Sequence, residues 1–294
     1  MTSLDMRAAR RRFGRAALTC SEASVLAREV ETRMSERLEY VKLLPRRILD
    51  AGCGLGEGSR LLHRRYPGAA IIGVDLALAM AREARSRRPL LARARSRIFG
   101  AASHHVCADM SRLPLARSSV GLVWSNLAIA WAASPAAVFS EFHRVIKIGG
   151  LLMFSTYGPD TLSELRQAFA RVDEATHVHQ FADMHDLGDM LAGAGFAEPV
   201  MDMERITVTF SDVAALARDL RMSGQSNVAT DRPRGLMARR TWKAMERHYE
   251  AARRDGRLPA TFEIVFGHAW KPAPRLTNDG RMVVNTQSIG RRTR

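Results

Sequence analysis

Cysteine is scarce in this chain of 294 residues: there are three, Cys20, Cys53 and Cys107, an odd number with no C-x-x-C spacing. Neither a disulfide framework nor a zinc ribbon can be assembled from such a set, and a reducing, cytoplasmic setting is the expectation. Long apolar runs are missing too. The longest, such as Ala69 to Val74 and Leu151 to Phe154, fall far short of the roughly 18 residues of a membrane-spanning helix, so no membrane association is expected. Met1 to Arg15 is rich in arginine but has no apolar stretch and no A-x-A cleavage site, which argues against a secretory signal and leaves an Arg-rich organellar presequence as the open alternative. No internal repeat is visible. With 46% hydrophobic and 26% charged residues the composition excludes a disordered or collagen-like chain, and the length allows one large domain or one domain with a sizeable insertion.

Acidic residues are in deficit. Thirty Asp and Glu against 45 Lys and Arg leave a net charge of +15, which draws the protein toward anionic partners. The excess is clumped at Arg7 to Arg15, Arg82 to Arg97, Arg232 to Arg257 and Lys271 to Arg294. No RNP-like aromatic motif, recognition helix or zinc finger accompanies these clumps, so nucleic acid is not the expected partner; solvated helix faces are the plainer alternative.

What is present is an alternation of strand and helix patterns. Leu26, Val30, Met34 and Leu38 form one apolar stripe in a first 45 residues that read as helix, closed by Pro45. The apolar run at Arg47 then breaks into glycines, as a buried strand entering a tight turn does. Strands are expected at 70–74, 105–108, 120–125 and 150–156, with helices at 59–66, 78–88 and 135–146 between them. This pitch indicates βαβ units and a doubly wound α/β fold. Beyond Tyr157, helices at 160–172 and 186–194 precede an alternating strand at 199–210 and another at 261–267. Between those strands a helical stretch, about 212–254 and interrupted at 224–235, reads as a cap. The expected organisation is an N-terminal helical lid at 1–45, a main domain at 46–271 that carries the insertion, and a basic tail at 272–294 expected to be disordered.

Asp50-x-Gly52-x-Gly54-x-Gly56 carries the chemistry. It follows the first strand and precedes a helix, where glycines let the backbone turn sharply and approach a ligand; its G-x-G-x-G spacing departs from the dinucleotide pattern. Asp75 closes the second strand about 20 residues on, where a carboxylate reaches a ribose diol. Asp109 and Met110 follow the third strand, an acid and an apolar side chain suited to an exocyclic amine and a base. All lie at strand carboxyl ends, where open α/β sheets bind ligands.

This constellation resembles the class I S-adenosylmethionine-dependent methyltransferases, whose first strand ends D-x-G-C-G-x-G, here Asp50-Ala-Gly-Cys-Gly-Leu-Gly56, with Leu113-Pro-Leu and Phe142-His-Arg-Val-Ile-Lys-Ile-Gly-Gly150 as further matches. The resemblance implies a seven-stranded Rossmann-like sheet and S-adenosylmethionine as cofactor. It implies a cofactor site of Asp50, Gly52, Cys53, Gly54, Gly56, Asp75, Leu76, Asp109, Met110 and Asn126, with the glycine loop on the methionine portion, Asp75 on the ribose and Asp109 on the adenine. Cys53 is a packing residue in this reading, since nothing nearby activates it.

A narrower resemblance is carried by Phe13-Gly-Arg-Ala-Ala17, by Trp124-Ser-Asn-Leu-Ala128 with Trp131, and by Gly235-Leu. These look like the malonyl-acyl-carrier-protein O-methyltransferases of biotin synthesis, which implies an acyl carrier protein bearing a malonyl group as partner. Where that family usually has Tyr and Gln facing the active site, this chain has Cys20 and Ala130. The resemblance singles out no catalytic residue, because a carboxylate acceptor is already ionised at pH 7; Arg144, Asn126, Trp131 and Cys20 are the acceptor-pocket candidates. A second resemblance, in His177 to Asp189 and Met201 to Glu204, is to a methyltransferase-fold arginine hydroxylase of respiratory complex I assembly. His177, His179, Asp183 and His185 are a conceivable metal set, but Asp183 and His185 fall at a helix start, where Asp caps, so no metal is expected.

Overall fold

The computed structural model describes residues 3–87 and 103–274. Most of the Arg82–Arg97 clump and nearly all of the basic tail therefore lie outside the described residues, as does the expectation of disorder for that tail.

Seven strands form one sheet: β1 (Arg47–Ala51), β2 (Ala70–Asp75), β3 (Ser103–Cys107), β4 (Val120–Ser125), β5 (Ile146–Tyr157), β6 (Ala197–Phe210) and β7 (Leu258–Trp270). Their order is β3-β2-β1-β4-β5-β7-β6. The first five run parallel, whereas β7 is antiparallel to both β5 and β6. The sheet is thus mixed, and the chain direction reverses where the helical segment between β6 and β7 intervenes.

The central strands are buried on both faces because their side chains alternate between two cores. Ile48, Leu122, Trp124 and Met153 point into one, with Val30, Met34, Leu38 and Leu62. Leu49, Val123, Leu152 and Phe154 point into the other, with Val138, Phe139, Phe142 and Leu191. Helices α4 (Glu57–Arg65) and α5 (Leu78–Ser86) return the chain between parallel strands, as does α6 (Pro135–Val145), whose N-terminus is capped by the Ser134 hydroxyl. Helices α7 (Ser163–Ala170) and α8 (Met184–Gly193) follow β5. The segment between β6 and β7 contains α9 (Val213–Met222) and α10 (Arg239–Glu250).

The N-terminal segment breaks into three helices rather than one, α1 (Met6–Ala16), α2 (Cys20–Ala23) and α3 (Val25–Leu38). The break is held by tertiary contact: the Thr19 hydroxyl donates to the Met222 carbonyl at 2.9 Å. Ahead of α1, Ser3 and Asp5 hydrogen-bond the backbone of Thr230 and Val228, and Asp5 pairs with Arg232 at 2.9 Å. Farther on, α3 is clamped to the edge strand β6 by Arg33 and Arg37, which pair with Glu204. The Arg37 guanidinium also stacks 3.9 Å over Phe266.

Candidate active site

Two cavities meet above the carboxyl edge of the sheet. The first, about 810 Å³ with the open solvent at its mouth included, is a cleft under α1 and α2 that reaches from the β1 turn to the ends of β2, β3 and β4. The β1 turn is left-handed at Gly52 (φ 75°), Gly54 (φ 49°) and Gly56 (φ 76°), the last serving as the N-cap of α4. Gly52 has no room for a side chain, since a Cβ there would lie 2.1 Å from that of Ala128. Gly54 is open instead, with nothing within 4 Å of its Cβ position, so its backbone is exposed to whatever fills the cleft.

Asp75 holds that turn in place. One carboxylate oxygen accepts from Gly54 N at 3.0 Å and the other from Ala77 N at 2.8 Å. Burial outweighs these bonds and raises its pKa to about 6. Asp109 accepts from both the backbone N–H and the hydroxyl of Ser111, and Leu76, Met110 and Asp109 share the cleft wall. Asn126 lines it as well, its amide fixed at both ends: Nδ2 donates to Ala27 O at 2.9 Å and Oδ1 accepts from Ser155 Oγ at 2.7 Å. Cys20 faces the same space with its thiol pushed up to about 11 by burial.

Asp50 and Cys53 line a smaller hollow beside the glycine turn, which they share with Gly52 and Gly54. Asp50 is buried, accepts from Ser59 Oγ at 2.6 Å, and has a pKa raised by burial to about 6. Glu31 of α3 reaches into this hollow from the other side and meets Trp124 Nε1 at 3.4 Å. Its burial, with the Asp50 charge beside it, raises its pKa to about 8. The Cys53 thiol is likewise held protonated by burial.

The second cavity, about 720 Å³ with the open solvent at its mouth included, is mostly apolar. Trp131, Tyr157, Leu162, Phe181, Leu220 and Phe262 form its walls, with His179, Gln225 and Asn227 as polar points and Arg221 also on its lining. Trp131, in the 3₁₀ turn Ile129–Trp131, and Gln225 border both spaces. Trp131 is packed edge-on between Phe13 of α1 (5.3 Å) and His179 (4.9 Å). His179 is buried, hydrogen-bonded to the backbone of Ala130, and left with an unpartnered Nε2. Desolvation lowers its pKa to about 4, so the ring is neutral at ordinary pH.

Arg144 stands apart from both cavities. It is in the last turn of α6, which runs antiparallel to the parallel strands and so ends at the opposite edge of the sheet. There it forms a two-point pair with Glu141 and donates to the carbonyls of Leu113 and Leu115, stapling that loop. A role in steering the acceptor does not fit this position. The histidines do not converge either: His177 stacks on Phe169 and pairs with Asp173, while His185 is exposed beside Asp183, the N-cap of α8. Among the described residues no group of three His, Cys, Asp or Glu side chains could hold a metal ion.

Residues 49–154 match the model of a methyltransferase domain family. Relatives extend the likeness to nearly the whole chain. Malonyl-(acyl-carrier protein) O-methyltransferase of Gallionella capsiferriformans is 51% identical over 96% of this chain and 97% of its own length. The protein of the same name from Laribacter hongkongensis is 52% identical over 95% of each. The chain belongs to the malonyl-(acyl-carrier protein) O-methyltransferases. It is accordingly an S-adenosylmethionine-dependent O-methyltransferase with the Rossmann-like methyltransferase fold. Among solved structures, a candidate methyltransferase from Bacillus halodurans superposes with a TM-score of 0.57 at 17% identity, covering 82% of this chain and all of that one, a likeness of fold alone. The relatives stand with the acyl-carrier resemblance rather than with the arginine-hydroxylating one.

Family membership gives the missed residues their interest. Tyr157 reads in the sequence as the residue just past a strand, Gln225 as part of an interruption between helices, Glu31 as a polar position on an amphipathic helix. Only for His179 was there a signal, and it pointed to metal.

Proposed function

We propose that this enzyme transfers a methyl group to the free carboxylate of a malonyl thioester on acyl carrier protein, an early step of biotin synthesis in the cytoplasm. The observation that carries the reading is the meeting of the two cavities at Trp131 and Gln225. One offers an exposed glycine turn and acidic ends of parallel strands; the other is an apolar space suited to a thin acyl thioester arm.

The residues present fit S-adenosylmethionine on the open side of Gly54 and on the Leu76–Met110 wall. In the proposed site Asp75 holds the ribose, its carboxylate retaining acceptor capacity beyond the two backbone N–H groups. Asp109, Leu76 and Met110 hold the adenine, with Asn126 on the adjoining wall. Gly52, Gly54 and Gly56 shape the methionine subsite beside Asp50 and Cys53. When bound, the cofactor supplies an electrophilic methyl on a sulfonium sulfur. An acceptor carboxylate, already ionised at ordinary pH, would take that methyl directly, with the demethylated thioether cofactor as the balancing product. No proton moves, so the chain needs no general base, in keeping with a neutral His179. Opposite charges cancel in this step, and the apolar walls favour that cancellation because a dry site strengthens their attraction.

The N-terminal helices and the segment around α9 act as the lid that excludes water. Arg221 and the exposed Arg239, Arg240, Lys243 and Arg247 of α10 suit an acidic carrier protein. Asn126 and Cys20 belong to the side of the site nearest α2 and α3. The test is complementation of a biotin auxotroph lacking this methyltransferase, with the mass of malonyl-carrier protein followed for the gain of one CH₂ group. Growth without biotin together with that gain is the expected result. Failure of both, with S-adenosylmethionine still bound, would point to another acceptor.

A further inference from the structure

We infer that the side-chain amide of Gln225 holds the acceptor carboxylate at the junction of the two cavities, with Tyr157 as the residue that orients it. The inference rests on the carboxyl-methylating reading above.

Gln225 follows Gly224, whose left-handed backbone (φ 80°) is packed against Phe13; a Cβ there would come within 2.8 Å of that ring. Its side chain borders both cavities. The Tyr157 hydroxyl donates to Gln225 Oε1 at 2.8 Å. Tyr157 is buried, packed against Phe181 and Phe262, and burial pushes its phenol well up, so it stays a donor at any working pH. With Oε1 engaged, the two Nε2 hydrogens of Gln225 remain for a ligand.

Arg221 lines the second cavity but does not border the first, so it is not at the junction, and two other polar groups are unsuited to an anion. With one ring nitrogen on the Ala130 backbone, the neutral His179 has its other, Nε2, buried and without a proton to offer an anion. Arg144 is committed to Glu141 and two carbonyls on the far edge.

A neutral donor also matches the chemistry. Methylation removes the substrate's charge, and a guanidinium in the same place would be left as an unpaired, desolvated cation facing an ester. An amide held to one oxygen leaves the second oxygen free for the methyl. Because the acceptor's charge is spent in the transition state, this hydrogen bond is strongest in the bound substrate. Its loss therefore falls mainly on KM.

The test compares Gln225→Ala and Gln225→Glu with the natural enzyme in steady-state methyl transfer to malonyl-carrier protein, with S-adenosylhomocysteine affinity measured by calorimetry. Glutamate keeps the acceptor for Tyr157 and the shape of the side chain but replaces the donors with a negative charge. Both variants are expected to raise the acceptor KM by about 10- to 100-fold, the range for a hydrogen bond to a charged group. Cofactor affinity should be unchanged. Tyr157→Phe, which lets the amide rotate, should raise KM less. A natural-like KM in Gln225→Glu would overturn the inference, since a purely structural glutamine would tolerate that change. If the natural enzyme methylates no malonyl thioester, the underlying reading falls and this inference with it; if it does and the variants match it, only the inference falls.

Discussion

Replacing Glu31 with Gln removes a charge the folded chain resists forming, and the effect should be visible as a change in how stability depends on pH. Glu31 is buried between α3 and the glycine turn, and its pKa is raised from 4.5 to about 8 by desolvation first and by Asp50 second. Between those two values the folded chain keeps the proton that the unfolded chain releases. Stability of the natural protein therefore falls as pH rises through the window and levels off above about 8. At about 1.4 kcal/mol per pH unit the whole window sets a ceiling of about 5 kcal/mol. Residual hydration of the hollow reduces this to about 2–4 kcal/mol. Glutamine keeps the acceptor for Trp124 Nε1 and has no proton to lose. In ligand-free thermal melts from pH 4.5 to 9, the difference between Glu31→Gln and the natural protein should grow with pH. It should reach about 4–8 °C at the top of the window, given about 2 °C per kcal/mol for a chain of this size. A difference that stays flat across the window, or that shrinks with rising pH, would refute the assignment of a buried, protonated carboxyl.

Three further outcomes follow from the same geometry. Gly52→Ala places a Cβ 2.1 Å from that of Ala128 in a left-handed turn; it should abolish calorimetric S-adenosylmethionine binding while the circular dichroism of the sheet is kept. Asp75→Ala, which removes the acceptor of Gly54 N and Ala77 N, should weaken cofactor binding by about 1.5–3 kcal/mol, and an unchanged Kd would remove the ribose assignment. Arg144→Ala should lower stability in urea by about 2–3 kcal/mol, through the loss of the two-point pair with Glu141 and of the bonds that hold the Leu113–Leu115 loop. It should leave the acceptor KM within about twofold, and a large rise in KM would return Arg144 to the acceptor site.

The parallel half of the fold was legible because local signals agree there: Ile48-Leu49 running into glycines, Val120 to Ser125 as an unbroken apolar run, Pro135 opening a helix. The reversal of β7 was not, since its pattern of Phe262, Val265 and Phe266 fits either direction and only pairing with both β5 and β6 decides it. In the first 45 residues the stripe of α3 was visible, while the break at Thr19 depends on a carbonyl more than 200 positions away. The same distinction runs through the site. Residues of the glycine turn and the strand-end acids are contiguous motifs. Trp131, Tyr157, His179 and Gln225 come from four separate segments, and no spacing rule joins them. Arg144 looked available because a sequence does not show that Glu141, one turn earlier, already occupies it.

The knitting of the N-terminus to the segment after α9 has a consequence for ligand traffic. Ser3 and Asp5 bond to Thr230 and Val228, Asp5 pairs with Arg232, Thr19 bonds to Met222, and Phe13 packs on both Gly224 and Trp131. Two stretches far apart in the chain thus make one roof, and that roof covers both cavities. Lifting it for one ligand loosens the walls around the other, so the two binding events share a single opening cost. Whichever ligand seats first and closes the roof lowers that cost for the second. The pair should therefore bind with positive cooperativity, and weights hung on the N-terminus, such as a fused tag, should slow both arrivals together rather than either one alone.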